Sequence, residues 1–400
     1  MIPIPEPKST ILFQLISGQL MPNYYAHREI NPDFTVFLAT AESVKSVKTL
    51  ISVLGLKDEN YQTEIISPFD WQEVYELVKE VVGSIKMQFP EFNLILNWTT
   101  GTKINSDATK LVFLENKLPY IYFDSEHEKT LSFQNNQLLS TSPYKSFITF
   151  KDLVTLQTNN RSLLLTEEIS HPNLSELELF LFSQLNNNVF DWILHLGSLQ
   201  KKVGKLFDLN KIIPKQTIEN NNFSTTIEYQ NGIFFLSISR KDKVVFQIKS
   251  VQDPQSALVK TLLGLWFEKY TFNLLNSCHL FKELILNTFV IENSIPINVS
   301  YKKNEFDVLG MTPEGYPVIF ECKAGAIKPT DLDKFANHKS TYFGRYTTLV
   351  LVPLFALKPH IQSKANELGI LVLDWRKLKS LGDQGKSKYL NEFVKKQNLK

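Results

Sequence analysis

The chain has 400 residues, and its 43 basic and 41 acidic side chains leave a net charge of only +2. At about 150 residues per domain that length predicts two to three domains, and the near-neutral balance excludes a polyanion binder that works through bulk charge. A hydrophobic content of 43% against 21% charged residues excludes a disordered chain.

Two cysteines, Cys278 and Cys322, exclude a disulfide scaffold and a cysteine-rich zinc module and suit a reducing compartment. The longest apolar run, Leu349 to Leu357, is interrupted by Pro353 and falls far short of the roughly 18 residues of a membrane span. The opening MIPIPEPKST has no basic patch leading into an apolar stretch, so no signal peptide is expected. A soluble, multidomain, cytoplasmic protein is expected.

From Thr10 to about Asp124 strand and helix patterns alternate. Apolar runs at 11–16, 34–39, 94–96 and 120–123 predict strands. Between them, Ala41 to Leu54, Asp70 to Ile85 and Asp107 to Leu114 carry helical spacing, with Gly55 as a stop for the first. Such alternation builds a parallel sheet covered on both faces, and ligands of such sheets sit outside the carboxyl ends of the strands. Two loops follow strands there, Ser17-Gly18-Gln19-Leu20-Met21-Pro22-Asn23 and Asn97-Trp98-Thr99-Thr100-Gly101-Thr102-Lys103. Small hydroxyl residues, a glycine and a lysine that lead into a helix suit a phosphate, because backbone N–H groups and the helix start favour an anion. The GxxxxGK spacing of a Walker loop is absent, and a plain polar strand–helix connection explains the same residues.

Segment 151–252 predicts an α+β middle region: helices at 174–185 and 189–207, and an antiparallel meander from Thr225 to Ile248 with a hairpin turn at Asn231-Gly232. The last block, 253–400, starts at Asp253-Pro254, a cap with proline behind it. It continues as a long helix to about Asn276, a strand near Val290, a hairpin from Ser300 to Lys323, a helix near 330–341, a strand 347–352, a helix 359–368 stopped by Gly369, and a strand 370–373.

The hairpin carries the strongest chemical pattern. Thr312-Pro313-Glu314-Gly315 is a turn between Asn304-Glu305-Phe306-Asp307-Val308-Leu309 and Val318-Ile319-Phe320-Glu321-Cys322-Lys323. Symmetry about Glu314 sets Asp307 opposite Glu321 and Glu305 opposite Lys323, with opposed Cβ atoms about 5 Å apart. Alternation puts Glu321 and Lys323 on one face and Cys322 on the other. Two facing carboxylates in an apolar setting call for a positive partner. A hard divalent cation, Mn²⁺ or Mg²⁺, fits, and so does an ordinary cross-strand salt-bridge cluster. Glu268 falls within an apolar helical stripe of Leu258, Leu262, Leu265, Phe272 and Leu275, either as a third carboxylate or as an edge residue reaching water. Lys328, Lys334, Lys339 and Arg345 are candidate contacts for nucleic-acid phosphates, or a solvated face.

Asp307, Glu321 and Lys323 resemble the motif of the PD-(D/E)xK nuclease family, with Glu268 matching the carboxylate often found on that family's first core helix and Phe306 in place of the motif's proline. The resemblance covers about 250–375. It implies a restriction-endonuclease-like α/β domain over 253–400, with Glu268, Asp307 and Glu321 as metal ligands and catalytic groups, and Lys323 assisting the attacking water or the developing charge. Glu305 would stand behind them.

A Rossmann-like domain over 1–150 with a Gln-x-x-Pro-Asn loop and a Thr-Gly-Thr-Lys loop resembles the CARF domains of CRISPR-associated proteins. The whole chain resembles the ancillary nucleases of type III CRISPR systems. Relatives often carry two glycines before the Thr-Lys, whereas here Thr100 occupies the first. The resemblance implies a homodimer that binds a cyclic oligoadenylate, most often cyclic tetraadenylate, through Ser17, Gln19, Pro22, Asn23, Thr100, Gly101, Thr102 and Lys103. That messenger would activate metal-dependent endonucleolytic cleavage of RNA and/or DNA, the latter as single strands or by nicking of supercoiled DNA, in antiviral defence. Two other readings stay open: a messenger-independent restriction-like or repair nuclease, and a nucleotide-sensing module with an inactive nuclease remnant.

Overall fold

The computed structural model of the protein describes residues 9–124, 129–143, 148–158, 161–165, 172–186, 213–219, 222–230, 233–250, 261–292, 304–344 and 347–398. The helical pattern at 189–207, the Asn231-Gly232 turn, the Asp253-Pro254 start and Arg345 lie outside them. The chain divides into two compact units, one of Met1–Leu163, Ile291–Tyr301 and Thr341–Gly344, the other of Leu164–Val290, Lys302–Ser340 and Arg345–Lys400. Segment 151–252 thus divides between them.

The first unit is built on β1 (Thr10–Ile16), α1 (Met21–Ile30), β2 (Phe34–Ala39), α2 (Val44–Leu54), β3 (Tyr61–Ile65), α3 (Trp71–Gln88), β4 (Asn93–Asn97), α4 (Lys103–Glu115), β5 (Tyr120–Asp124), β6 (Lys129–Gln134), β7 (Gln137–Pro143) and α5 (Phe150–Thr158). Its seven-stranded sheet has the order β3-β2-β1-β4-β5-β6-β7. The first five strands are parallel, and β6 and β7 add antiparallel strands. Central strands covered on both faces read as near-continuous apolar runs: β1 is buried from Ile11 to Ile16 and β2 from Thr35 to Ala39, with Gln14 and Thr35 the buried polar exceptions. Phe13, Val36, Leu38, Val74, Val78, Leu96 and Phe113 form the core on one side of the sheet, each large side chain contributing about 1.5–3 kcal/mol by its burial.

Helix α1 and strands β3, β6 and β7 depart from the sequence expectation. The stretch from Met21 was expected to be loop. It is helical because Pro22 sits in the first turn, where its missing N–H costs nothing. Within α1, His27 is 9% exposed and its Nε2 has no hydrogen-bond partner among the described residues. Burial, and secondarily the Arg28 charge, lower its pKa from 6.5 to about 4. The fold therefore holds the neutral imidazole, so this contribution is complete above about pH 6.5 and is lost as pH falls towards 4, by up to about 3 kcal/mol. Thermal unfolding measured across that window is expected to show a shallower acid slope in His27→Asn than in the unmutated protein.

The second unit contains a four-stranded antiparallel meander, order β12-β11-β10-β9, from β9 (Ile213–Glu219), β10 (Phe223–Gln230), β11 (Ile233–Arg240) and β12 (Lys243–Ser250). It also contains a mixed sheet of β13 (Glu283–Glu292), β14 (Glu305–Met311), β15 (Pro317–Lys323), β16 (Thr348–Pro353) and β17 (Leu371–Val372) in the order β17-β16-β15-β14-β13. The short strand β8 (Arg161–Leu165) precedes these elements in the chain. The helices of the second unit are α6 (Pro172–Asn186), α7 (Trp266–Asn276), α8 (Pro329–His338), α9 (Pro359–Glu367), α10 (Trp375–Ser380) and α11 (Asp383–Asn398). The long helix expected up to Asn276 is broken within its described part. A π-helical turn, Thr261–Leu265, leads into α7, and Gly264 has an extended, non-helical backbone there. A second π-helical turn, Lys339–Phe343, ends α8 earlier than expected.

Candidate functional site

In the order β3-β2-β1-β4-β5, the chain winds one way from β1 and the other way from β4. Ligands of parallel sheets bind in the crevice that opens at such a reversal, outside the carboxyl ends of the two strands. The loops that leave β1 and β4 flank it, and these are the two loops the sequence singles out.

A buried polar network ties them together. Gln14 and Asn97 are register partners on β1 and β4, so their side chains share a face. Asn97 Nδ2 donates to Gln14 Oε1 (3.3 Å) and to the Pro22 carbonyl (3.3 Å). Asn23 Nδ2 donates to the Leu15 carbonyl (2.9 Å), Gln14 Oε1 (3.2 Å) and Thr100 Oγ1 (3.3 Å). The Thr100 hydroxyl in turn donates to the Leu15 carbonyl. Asn23, Asn97 and Thr100 are buried. They shape the loops from beneath, and Thr100 fixes the second loop to β1 where a glycine would leave it free. Gly101 turns the chain with φ +97°, and a Cβ there would meet the Leu15 side chain at 3.2 Å.

The expected shorter helix at 107–114 begins earlier, at Lys103. Thr102 is its N-cap, accepting from Asn105 N at 3.2 Å and donating to the Pro68 carbonyl at 3.3 Å. Gln19, Thr102 and Lys103 are exposed and Ser17, Pro22 and Gly101 half-buried, so these six line the surface of the two loops. Sequence reasoning missed Gln14 and Asn97. Their signal was a polar residue inside ILFQLI and another closing LILN.

The second cluster is in the other unit. The β14–β15 ladder pairs Val308 with Phe320, Leu309 with Ile319, Gly310 with Val318 and Met311 with Pro317, the register expected from symmetry about Glu314. Gly315 closes the turn with φ +91°. Asp307 is 9% exposed, and its Oδ2 accepts from Cys322 N at 2.6 Å. Glu321 and Lys323 form a close ion pair on one face, and Cys322 joins the apolar core on the other. Glu268 enters from the first turn of α7, where a carboxylate is favoured by the helix dipole.

These groups share one electrostatic field. Burial, then Glu305 and Glu321, push Glu268 up to about 7, with Lys323 opposing. Burial, then Glu321 and Glu268, push Asp307 well above the carboxylate range, against Lys323 and the Cys322 N–H. Burial alone would lower Lys323, but Glu321 and Asp307 outweigh it and hold the ammonium charged. His338, at the end of α8, belongs to the same field and was missed: its ring lies 4.9 Å from Phe306, and burial lowers its pKa while Glu321 raises it and Lys323 lowers it. Of the basic residues expected near phosphates, Lys334 is exposed, Lys339 is half-buried with its pKa lowered by burial, and the Lys328 N–H is used by Asp331 at 2.9 Å.

Three mutually repelling carboxylates with one lysine are short of positive charge, and an all-oxygen donor set fits Mg²⁺ or Mn²⁺. The fit is one of donor chemistry. Among the described residues no three such side chains are arranged as a ready ligand shell, and a Glu321 oxygen is engaged by Lys323. Among those residues no helix is long and apolar enough to cross a membrane.

Residues 11–153, within the first unit, match the family model described as the Card1 CARF domain. No curated protein matches the sequence. Two solved structures share the fold over almost the whole chain. Can2 from Sulfobacillus thermosulfidooxidans, solved in complex with cyclic tetra-adenylate, is 20% identical with a TM-score of 0.65, covering 97% of this chain and 99% of its own. The protein VC1899 from Vibrio cholerae is 13% identical with a TM-score of 0.70, covering 97% and 98%. At these identities the likeness is one of fold.

Proposed function

We propose that the chain is a messenger-gated, divalent-metal-dependent nuclease. A cyclic oligoadenylate, the tetraadenylate first, binds the CARF domain at the β1 and β4 loops, and the second unit, read as a PD-(D/E)xK domain, then hydrolyses phosphodiester bonds in RNA or DNA. The observation that carries the reading is the placement of Asp307, Glu321 and Lys323 on the paired strands β14 and β15, with Glu321 and Lys323 ion-paired and Glu268 in the first turn of α7 within the same electrostatic field. The Can2 complex with cyclic tetra-adenylate supports the choice of messenger.

In the first unit, Lys103 and the N–H groups at the start of α4 face an anion favourably. A cyclic messenger with two-fold related phosphates suits two copies of the chain that present the same surface. In the second unit Glu268, Asp307 and Glu321 would hold the cation, which when bound supplies charge neutralisation at the phosphate. Lys323, kept cationic, is not a base. It donates hydrogen bonds to the attacking water or a phosphate oxygen and offsets developing negative charge. Water adds to phosphorus, the P–O ester bond breaks, and a phosphate monoester and a hydroxyl end remain.

The test is cleavage of labelled RNA, single-stranded DNA and supercoiled plasmid in Mn²⁺, with and without cyclic tetraadenylate. Cleavage only with the messenger is expected, and constitutive cleavage would remove the sensor role. Lys103→Ala is expected to raise the messenger concentration needed for half-activation by roughly 10- to 100-fold, as loss of one charge-assisted phosphate contact of about 1.5–3 kcal/mol implies. An unchanged titration removes Lys103 from the site. The engagement of Glu321 by Lys323 favours a second reading, a sensor with an inactive cluster; protein that gains no thermal stability from Mn²⁺ would support it.

A further inference from the structure

Charge is distributed unevenly along the chain. Residues 375–400 carry eight Lys and Arg against two acidic side chains, a net of +6 in a chain whose total is +2, so everything before them is net negative. Within the second unit this stretch holds α10 and α11. Trp375, Leu378, Leu390 and Val394 face the core. Arg376, Lys377 and Lys388 are exposed. Asp374 caps α10, accepting from Arg376 N at 3.0 Å and Lys377 N at 3.3 Å. The Lys377 ammonium stands 4.9 Å over the Tyr389 ring, so this charge is pinned between the two helices rather than free to wander. The Arg376 guanidinium is fixed by the Leu354 carbonyl at 2.7 Å. Lys386 is already matched by Asp383 at 3.1 Å.

Beside this face lies a groove of about 470 Å³. Phe355, Leu357, Leu371 and Phe393 wall it, and Gln362 and Arg376 stand at it. A pre-placed basic face calls for a polyanion. The groove mixes aromatic and aliphatic walls with the polar side chains of Gln362, Asn366, Asp374 and Arg376, so it offers a base out of its stack both a ring face and hydrogen-bonding groups, which a single strand can use and a duplex cannot.

We propose that the α10–α11 face is where the second unit takes up single-stranded nucleic acid, its phosphates meeting Arg376, Lys377 and Lys388 and one base lodging in the Phe355–Phe393 groove. The identity of the strand as a substrate rests on the nuclease reading above; the docking surface does not.

The experiment measures binding without cleavage. The full chain is titrated into a labelled thymidine oligonucleotide, its abasic counterpart and a duplex, by fluorescence anisotropy in a metal chelator, between about 50 and 200 mM salt. The double variant Lys377→Glu/Lys388→Glu is expected to raise the dissociation constant roughly tenfold and to flatten the salt slope by about 1.4, two contacts at about 0.7 each. Ala356→Trp, a rim substitution that fills the groove without hollowing the core, is expected to abolish the preference for the thymidine strand over the abasic one. An unchanged constant and slope in a double variant that melts as the unmutated protein overturns the proposal. So does a duplex bound as tightly as the single strand with no effect of Ala356→Trp. If no nucleic acid is cleaved under any condition yet the salt-dependent binding persists, the nuclease reading falls and the docking surface stands.

Discussion

Glu321→Ala is expected to reduce messenger-stimulated cleavage by about 10²–10³-fold or more, the loss that follows removal of one preorganised charge-stabilising group, while the affinity for cyclic tetraadenylate stays unchanged. Glu321 ion-pairs with Lys323. It is also the largest charged influence on Asp307 after burial, and it adds to the field on Glu268. Its loss removes an oxygen donor, releases Lys323 towards the two remaining carboxylates, and leaves the cluster with less charge to hold a cation. The residues that line the β1 and β4 loops stand on a different sheet in a different unit, so messenger binding has no reason to move. Gel-based cleavage and calorimetric titration of the same preparation separate the two effects. Cleavage at the unmutated rate would remove Glu321, and with it the cluster, from the chemistry.

The hairpin was legible because its turn residues fix its register. Pro313 and Gly315 set the centre, and every pair from Met311–Pro317 to Val308–Phe320 follows from it. The parallel core was legible for a similar reason: strands covered on both faces read as near-continuous apolar runs. Strand β3 was not. YQTEI is half-exposed along its length and lacks an apolar period. Nor was β7, whose Leu138 and Leu139 are exposed. Helix α1 escaped because MPNYYAHREI has no clean apolar face.

At the site, the carboxylates and Lys323 announced themselves by spacing. Gln14 and Asn97 did not, since the need for a buried amide pair between two parallel strands appears only when the strands are set side by side. His338 is brought to the hairpin by a helix that comes after it in the chain. Asn23 and Thr100 were expected to contact the messenger. They are buried beneath the loops, a position that depends on α1 starting where the sequence suggested a loop.

Asp307→Asn is expected to stabilise the second unit in metal-free protein and to abolish its response to a cation. The amide keeps an oxygen for the Cys322 N–H, so the backbone contact at 2.6 Å survives, while the buried charge that opposes Glu321 and Glu268 is gone. Glu268 and Asp307, both held above the ordinary carboxylate range mainly by burial, set the pH dependence together, and Asp307→Asn removes one of the two. The folded pKa of Glu268, about 7, lies above the ordinary 4.5, so the stability tied to its proton is present below about pH 4.5 and lost as pH rises through 7, by up to about 3 kcal/mol. Comparing about pH 6.5 with about pH 8 avoids most of the His27 titration, which lies lower. In chelator, the unmutated protein is expected to melt lower at the higher pH, and Asp307→Asn is expected to melt higher than it there, with a shallower decline. Saturating Mn²⁺ at about one hundred times its dissociation constant stabilises by about 2.7 kcal/mol, which moves the melting of a unit this size by about 5–10 °C. That rise is expected in the unmutated protein and absent from Asp307→Asn. A variant that still gains stability from Mn²⁺ removes Asp307 from the ligand set, and one that melts lower than the unmutated protein in chelator overturns the charge argument for the whole cluster.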